Sequence, residues 1–317
     1  MGLAATTRAR AETTGPSVSS VSPLALGNVV AGASGVTTFH VDQTSGSVTV
    51  TGGHGVRTTA GSARALVTLS CGTDSNCNNT NLRVRVGSLS LLTGRGQALS
   101  NFDVAMNTAV LSGANPPAGN PVDFTVKPFG KNNSVSFYVG ANVPIAGDDS
   151  GLAAGSASAG FYVYVGYASA VPTTGSTSGQ ATASVTRALG LSSAGSLNFG
   201  TLIRPLSGTG TAVVDADQGA YHNFNIVTTG RPAPSRVVFT ATGQPNTAIS
   251  VSIPHDFNLV TPSGSTLNVT VSSNAGSAET LTSSGSYTFG VGGSINVSST
   301  TPSGIYSGTF VVSIAYN

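Results

Sequence analysis

Apolar side chains alternate with polar or small ones along many short stretches of the chain. The clearest case lies near the end of the sequence, at Phe310, Val312, Ile314 and Tyr316. Successive side chains of a β-strand point to opposite faces, so this pattern predicts a strand with one apolar, half-buried face. Similar runs are separated by Gly, Pro, Ser and Asn, which are typical of turns. They cover residues 48–50, 65–69, 82–86, 135–139, 161–167, 224–227, 237–240, 249–253, 267–271 and 295–297. Short strands at this spacing favour antiparallel β-sandwiches.

The closing strand has a counterpart near the middle of the chain. Each of its apolar residues has a partner 149 positions earlier, which are Phe161, Val163, Val165 and Tyr167. Residues 23–30 match residues 196–203 at an offset of 173, and 64–68 match 236–240 at an offset of 172. The matching blocks keep their order, so the sequence predicts a whole-domain duplication. The smaller final offset places extra residues in the first copy, in a cysteine-containing loop and between Gly94 and Lys127.

This repeat predicts an all-β protein of two tandem Ig-like antiparallel β-sandwich domains. Residues 1–15 are expected to be a flexible leader or the remnant of a truncated export signal, and both remain open. Domain 1 would span residues 16–168 and domain 2 residues 181–317. Residues 169–180 are rich in Gly, Ser and Thr and are interpreted as a linker.

One more alternating strand follows the linker. Its apolar positions are Ala181, Ala183, Val185, Leu189 and Leu191, and Arg187 interrupts its apolar face. The favoured interpretation is that this strand begins the sheet of domain 2.

Composition and charge exclude several function classes. Charged residues make up 8% of the chain and mostly occur singly, and the net charge is +2. They form no basic stripe of the kind that binding to nucleic acids requires. No apolar run approaches the length of a membrane-spanning helix. Motifs for nucleophilic, phosphate-binding or zinc chemistry are missing, so no catalytic, cofactor-binding or metal-ligating residues are assigned and an enzyme is not expected. The pairs Asp148 with Asp149 and Asp215 with Asp217 could ligate calcium, but turn roles are favoured.

The two cysteines lie close together, at Cys71 and Cys77. Five turn-forming residues separate them, which favours a local disulfide and an oxidising compartment; free thiols are the alternative. A zinc site is disfavoured because the four histidines are scattered without ligand spacing.

The end of the chain resembles a known class of bacterial secreted domain. Residues 301–317, TPSGIYSGTFVVSIAYN, combine Gly304, an alternating strand and a penultimate Tyr316. This phrase, with SLNFGT at residues 196–201, is similar to the spore-coat-U-like and chaperone-usher pilin-like families. The first copy departs from the pattern, because Ala157 stands where the second has Tyr306.

This resemblance implies a function and an assembly mode. Such pilin domains lack a final strand, which another subunit supplies by strand addition. The strand 181–191 would then be the candidate donor, reaching back to pair beside residues 161–167, as the alternative to starting domain 2. The implied function is a structural subunit of a bacterial surface fibre, pilus or coat, secreted through the periplasm. Self-association, a periplasmic chaperone and an outer-membrane usher are the implied partners. The alternative is a surface adhesin that binds a glycan or host protein through domain 1 loops around residues 94–127.

Overall fold

The computed structural model describes residues 15–173 and 176–317, so the predicted leader falls outside the described residues except for Gly15. The chain divides into two compact units, Met1–Ala188 and Leu189–Asn317. The regular secondary structure of both is almost entirely β-strand, as the sequence predicts. In the described part of the chain, no helix is long and apolar enough to cross a membrane.

Unit 1 contains twelve of the described strands. They are β1 (Ser17–Val21), β2 (Leu24–Val30), β3 (Val36–Val41), β4 (Val48–Gly52), β5 (Val56–Arg57), β6 (Ala65–Ser70), β7 (Leu82–Thr93), β8 (Ser100–Met106), β9 (Val122–Val126), β10 (Ser134–Ala146), β11 (Gly155–Tyr167) and β12 (Ser176–Thr186). One sheet has the order β1-β6-β10-β3-β4, and β8 also pairs with β10. The other sheet has the order β5-β2-β12-β11-β7-β9.

The two sheets of unit 1 enclose one apolar core. Strand alternation turns every second side chain inward, and Phe39, Phe137 and Phe161 are among the fully buried ones. All neighbouring strands are antiparallel except β12 and β2, which run parallel. Cys71 and Cys77 form a disulfide that closes a short loop, as the spacing predicts.

Unit 2 contains the remaining described strands. They are β13 (Gly190–Ala194), β14 (Leu202–Ile203), β15 (Thr209–Val214), β16 (Tyr221–Phe224), β17 (Val227–Thr228), β18 (Val237–Thr242), β19 (Ala248–Ser252), β20 (Asp256–Val260), β21 (Thr266–Ser273), β22 (Ala278–Thr280), β23 (Ser286–Ser298) and β24 (Ser313–Tyr316). The first sheet has the order β13-β18-β23-β15-β16, and β21 joins β23 to β20. The other strands form a two-stranded sheet, β14-β17, and a three-stranded sheet, β22-β19-β24.

The closing strand is shorter than its pattern predicts. Only Ser313–Tyr316 form a strand, and Phe310 and Val312, although they alternate correctly, lie before it. Alternation reports which face a side chain occupies, whereas a regular strand also needs a neighbour for its backbone hydrogen bonds. The predicted run 224–227 also differs, because Asn225 adopts a left-handed conformation that separates β16 from β17.

The observed boundaries differ from the expected ones in the middle of the chain. The predicted linker 169–180 already contains the start of β12, at Ser176, and the two units divide after Ala188 rather than before Ala181. The predicted strand 181–191 is therefore two strands. Its first half, in β12, belongs to unit 1, and its second half, in β13, belongs to unit 2. The physical reason is that the backbone groups on both edges of β12 form their hydrogen bonds within unit 1, to β11 on one side and to β2 on the other.

Candidate functional site

Strand β12 completes the second sheet of unit 1. It lies between β11, to which it is antiparallel, and β2, to which it is parallel. Ala181, Ala183 and Val185 are buried, while Gln180 and Ser184 on the opposite face are exposed. These three residues pair with Ala159, Ala157 and Gly155 of β11, so the strand joins β11 as in the alternative interpretation rather than the favoured one. The register differs from the expected one, because residues 161–164 pair with 176–179, which precede the predicted strand.

The inner face of β12 is made of small residues because the core leaves little room there. Gly179 stands opposite Phe161 in the ladder, and Phe161 and Val163 are fully buried. A Cβ atom at position 179 would lie 2.3 Å from Cζ of Phe161 and 2.7 Å from a methyl carbon of Val21. Glycine at this point lets the strand seat against the ring.

A buried charge fixes the far end of β12. The Ala188 amide donates to Oδ2 of Asp148 at 2.9 Å, and Arg95 forms an ion pair with Oδ1 of the same carboxylate. The Arg95 side chain is fully buried, and its Nε also donates to the Leu152 carbonyl at 3.1 Å. Asp148 therefore connects a buried cation to the backbone where the chain leaves unit 1.

In unit 2 the equivalent space is an open groove. The sheets β14-β17 and β22-β19-β24 correspond in pairing to β2-β5 and β9-β7-β11 of unit 1, but in the described chain no strand joins them. A groove of about 910 Å³ lies between residues 197–204 and 301–308. Leu259, Leu267, Ile295 and Val297 also line it, from strands of the other sheet.

The groove leaves apolar side chains and strand edges open to solvent. Ile203 is 55% exposed and Ile305 is 84% exposed, and both line the groove. Phe310 and Val312 are only partly buried, whereas Phe161 and Val163 at the matching positions of unit 1 are fully buried. Strands β14 and β24 are both edge strands in the described sheets. Of the described residues lining the groove, only Arg204 is charged.

The remaining residues of the predicted strands are packed inside one unit or the other. Leu189, Leu191, Ile314 and Tyr316 pack in one apolar cluster of unit 2, and the Tyr316 hydroxyl accepts a hydrogen bond from the Gln244 amide at 2.7 Å. Val165 is buried in unit 1.

Tyr167 joins the end of β11 to the disulfide loop. Its hydroxyl donates to Asp74 and lies 3.7 Å from Sγ of Cys77. Burial, followed by the interaction with the Asp74 carboxylate, raises the pKa of Tyr167 to about 12.

The two acidic pairs have structural partners. Asp149 accepts the Gly35 amide at 3.0 Å, and Asp215 accepts the amides of Asp217 and Gln218 at 2.7 and 3.0 Å in a turn. These bonds hold the pKa of Asp215 below its usual range. Across residues 15–173 and 176–317, His, Cys, Asp and Glu do not cluster as a metal site would require.

Sequence reasoning identified the closing strand but missed most of the groove. The local pattern does not single out Ile203 and Ile305, and it does not connect them with Leu259, Leu267 and Ile295, which line the same groove. A usable signal was present, because Ile305 is a large apolar residue in a stretch of Pro, Ser and Gly without its own strand pattern.

The family match begins where unit 2 begins. Residues 189–316, which lie within unit 2 and make up less than half of the chain, match DUF4402, a domain of unknown function. No curated protein matches the chain.

Several solved structures show distant likenesses. The complex of chaperone and tip adhesion subunit, CsuC-CsuE, from archaic chaperone-usher Csu pili of Acinetobacter baumannii is 12% identical, covering 78% of this chain and 88% of that chain, with a TM-score of 0.29. AggA, the major subunit of aggregative adherence fimbriae type I from Escherichia coli, is 13% identical over 55% of this chain and 97% of that chain, with a TM-score of 0.24. CfaE, the adhesive subunit of CFA/I fimbria of enterotoxigenic Escherichia coli, is 14% identical over 90% of this chain and 89% of that chain, with a TM-score of 0.24. At these values the likenesses carry no conclusion about this chain.

Proposed function

We propose that this protein is a non-enzymatic structural subunit of a bacterial surface fibre, pilus or coat, joined to its neighbour by strand addition into unit 2. The observation that carries the proposal is the contrast between the units. Strand β12 fills the slot between β2 and β11, while in unit 2 an open apolar groove lies between β14 and residues 301–308, the segment before β24. An added strand would pair with the backbone on both sides of the groove and cover the exposed isoleucines.

The incoming strand would need small or apolar side chains on alternate positions. In unit 1 the slot is occupied by a strand whose ladder with β2 covers residues 181–186, with small side chains facing inward. A segment of this length spans about 20 Å. Its opposite face can be polar, as it is in β12.

An open groove also implies a partner before assembly. Unpaired strand edges next to exposed apolar side chains favour aggregation, so a subunit of this kind needs a transient cover. A periplasmic chaperone and an outer-membrane usher would supply that cover and the assembly route. The Cys71–Cys77 disulfide supports an oxidising compartment and therefore a secreted, surface-exposed protein. We also propose that the two units arose by duplication of one domain.

A peptide can test the groove directly. A peptide with the sequence of residues 177–187, TSGQATASVTR, would be mixed with the full chain, and hydrogen exchange would be followed at residues 199–204 and 305–312. We expect slower exchange in both segments and a higher unfolding temperature of unit 2, since ligand binding to the folded state stabilises it.

Two altered peptides provide the matched control. Ala183→Asp places a charge on the inward face and is expected to abolish protection, whereas Thr182→Asp alters the outward face and is expected to preserve it. Failure of the unaltered peptide to protect either segment, together with monomers in electron micrographs under every condition, would contradict strand addition.

A further inference from the structure

Two tyrosines form a fixed aromatic pair on the outer face of unit 1. Tyr162 and Tyr164 point to the same side of β11, and their rings stack with centroids 4.5 Å apart at an interplanar angle of 26°. Tyr162 stands opposite Gly87 of β7 and lies over it, because a Cβ at position 87 would be 2.5 Å from the Tyr162 hydroxyl. Glycine at this position allows the ring to rest against the sheet.

Arginines lie next to this pair on β7. Arg85 stands opposite Tyr164 and also opposite Asp123 of β9. Its Nε and Nη2 donate to the Asp123 carboxylate at 3.0 and 2.8 Å, while Nε of Arg83 is 3.7 Å from the same carboxylate. Asp123 is therefore engaged mainly by Arg85, and Arg83 is more loosely held. The three side chains are 26–33% exposed.

This tyrosine–arginine face, defined by Tyr162, Tyr164, Arg83, Arg85 and Asp123, has an excess of positive charge. Two guanidinium groups share one carboxylate, in a chain where only 8% of residues are charged. Lys127, exposed just beyond β9, lies on the same side of the sheet by strand alternation from Asp123. The local charge thus complements an anionic ligand.

We infer that the tyrosine–arginine face binds a glycan that carries a carboxylate. Stacked, sheet-backed rings offer rigid contact area at little cost in side-chain entropy, and the apolar face of a sugar ring can lie on them. The planar guanidinium of Arg83 can hold a carboxylate through two parallel hydrogen bonds. The cationic residues form a compact group rather than the extended stripe that a nucleic acid backbone requires. This site lies in unit 1 and is independent of the groove of unit 2.

Binding to immobilised sugars tests the inference. The full chain would be passed over surfaces bearing sialyllactose, a galacturonic acid trimer, neutral lactose and sulfated lactose. We expect the two carboxylated sugars to bind at least about tenfold more tightly than lactose, and more tightly than the sulfated sugar, which offers no planar carboxylate.

Three variants localise the site. Arg83→Gln is expected to weaken binding of the carboxylated sugars about tenfold or more, and Tyr164→Ser to weaken it similarly. Lys131→Gln removes an exposed charge elsewhere in unit 1 and is expected to leave binding unchanged. Circular dichroism and the unfolding temperature would verify that the variants fold. If Tyr164→Ser fails to fold, Arg83→Gln still tests the site, because Arg83 is a surface residue. Absence of binding to both carboxylated sugars, equal binding to lactose, or unaltered binding by folded Arg83→Gln protein would overturn the inference.

Discussion

Gly179 lies directly opposite Phe161 across the β11–β12 ladder, close enough that any side chain at position 179 would overlap the ring. We therefore expect Gly179→Ala to lower the free energy of unfolding of unit 1 by about 1–3 kcal/mol, the usual cost of overpacking a core. The change should be accompanied by faster hydrogen exchange along β12, measured by mass spectrometry.

The control for this prediction is another glycine of unit 1. Gly52 has nothing within 4 Å of the position where its Cβ would lie, so Gly52→Ala should change stability by less than about 0.5 kcal/mol. Equal stability of the two variants would show that β12 is not seated against Phe161 as described.

The partner of β12 illustrates what the sequence can and cannot predict. Alternation from Ala181 to Val185 correctly indicates a strand and identifies its buried face. It cannot indicate which sheet the strand joins, because either neighbour would bury the same residues. The choice depends on a vacant slot between β2 and β11 and on the fit of Gly179 to Phe161, which are relations between residues far apart in sequence.

The same limit explains the groove and the tyrosine–arginine face. Ile203 and Ile305 come together only because β14 and the segment before β24 flank a missing strand. Arg85, Asp123 and Tyr164 are neighbours only through the β9-β7-β11 register. Strand existence follows from local pattern, whereas these sites follow from long-range pairing.

Asp103 predicts a pH dependence of stability. Its carboxylate is 15% exposed, its Oδ1 has no hydrogen-bond partner among the described residues, and His40 Nε2 lies 4.0 Å from Oδ2. Burial raises the pKa of Asp103 to about 6, an effect that His40 partly opposes. Between about pH 4 and pH 6 the folded chain holds this proton more tightly than the unfolded chain, so stability falls as pH rises through that window.

Asp103→Asn should remove this slope. The free energy of unfolding of the variant, relative to that of the native chain, should be higher at pH 7.5 than at pH 3.5. The increase should be up to about 3 kcal/mol, which corresponds to a shift of two pKa units. Denaturant unfolding at both values measures the difference. Asp42 gives the opposite control, because bonds from Ser45 lower its pKa, so Asp42→Asn should lose stability relative to the native chain as pH rises. A parallel pH profile for the native chain and Asp103→Asn would contradict the raised pKa.

Asp148 should be far more important for stability than its neighbour. Asp148→Ala leaves the buried Arg95 guanidinium without its counter-charge and frees the Ala188 amide, so we expect a loss of about 3–5 kcal/mol. Asp149→Ala removes only bonds to the exposed Gly35 amide and should cost about 1 kcal/mol. Urea unfolding compares the two, and similar losses would mean that the Arg95 ion pair does not hold this end of unit 1.

The groove walls should be dispensable for folding and necessary for strand addition. Ile203 and Ile305 are exposed in the chain alone, so Ile203→Ser and Ile305→Ser should leave the unfolding temperature of unit 2 nearly unchanged. An incoming strand would bury them, and each burial contributes about 1.5–3 kcal/mol, so each change should weaken binding of the 177–187 peptide about tenfold or more. Leu206→Ser is the matched control, because Leu206 is fully exposed and outside the groove. Calorimetric titration of the peptide measures all three, and equal affinities would place strand addition somewhere other than this groove.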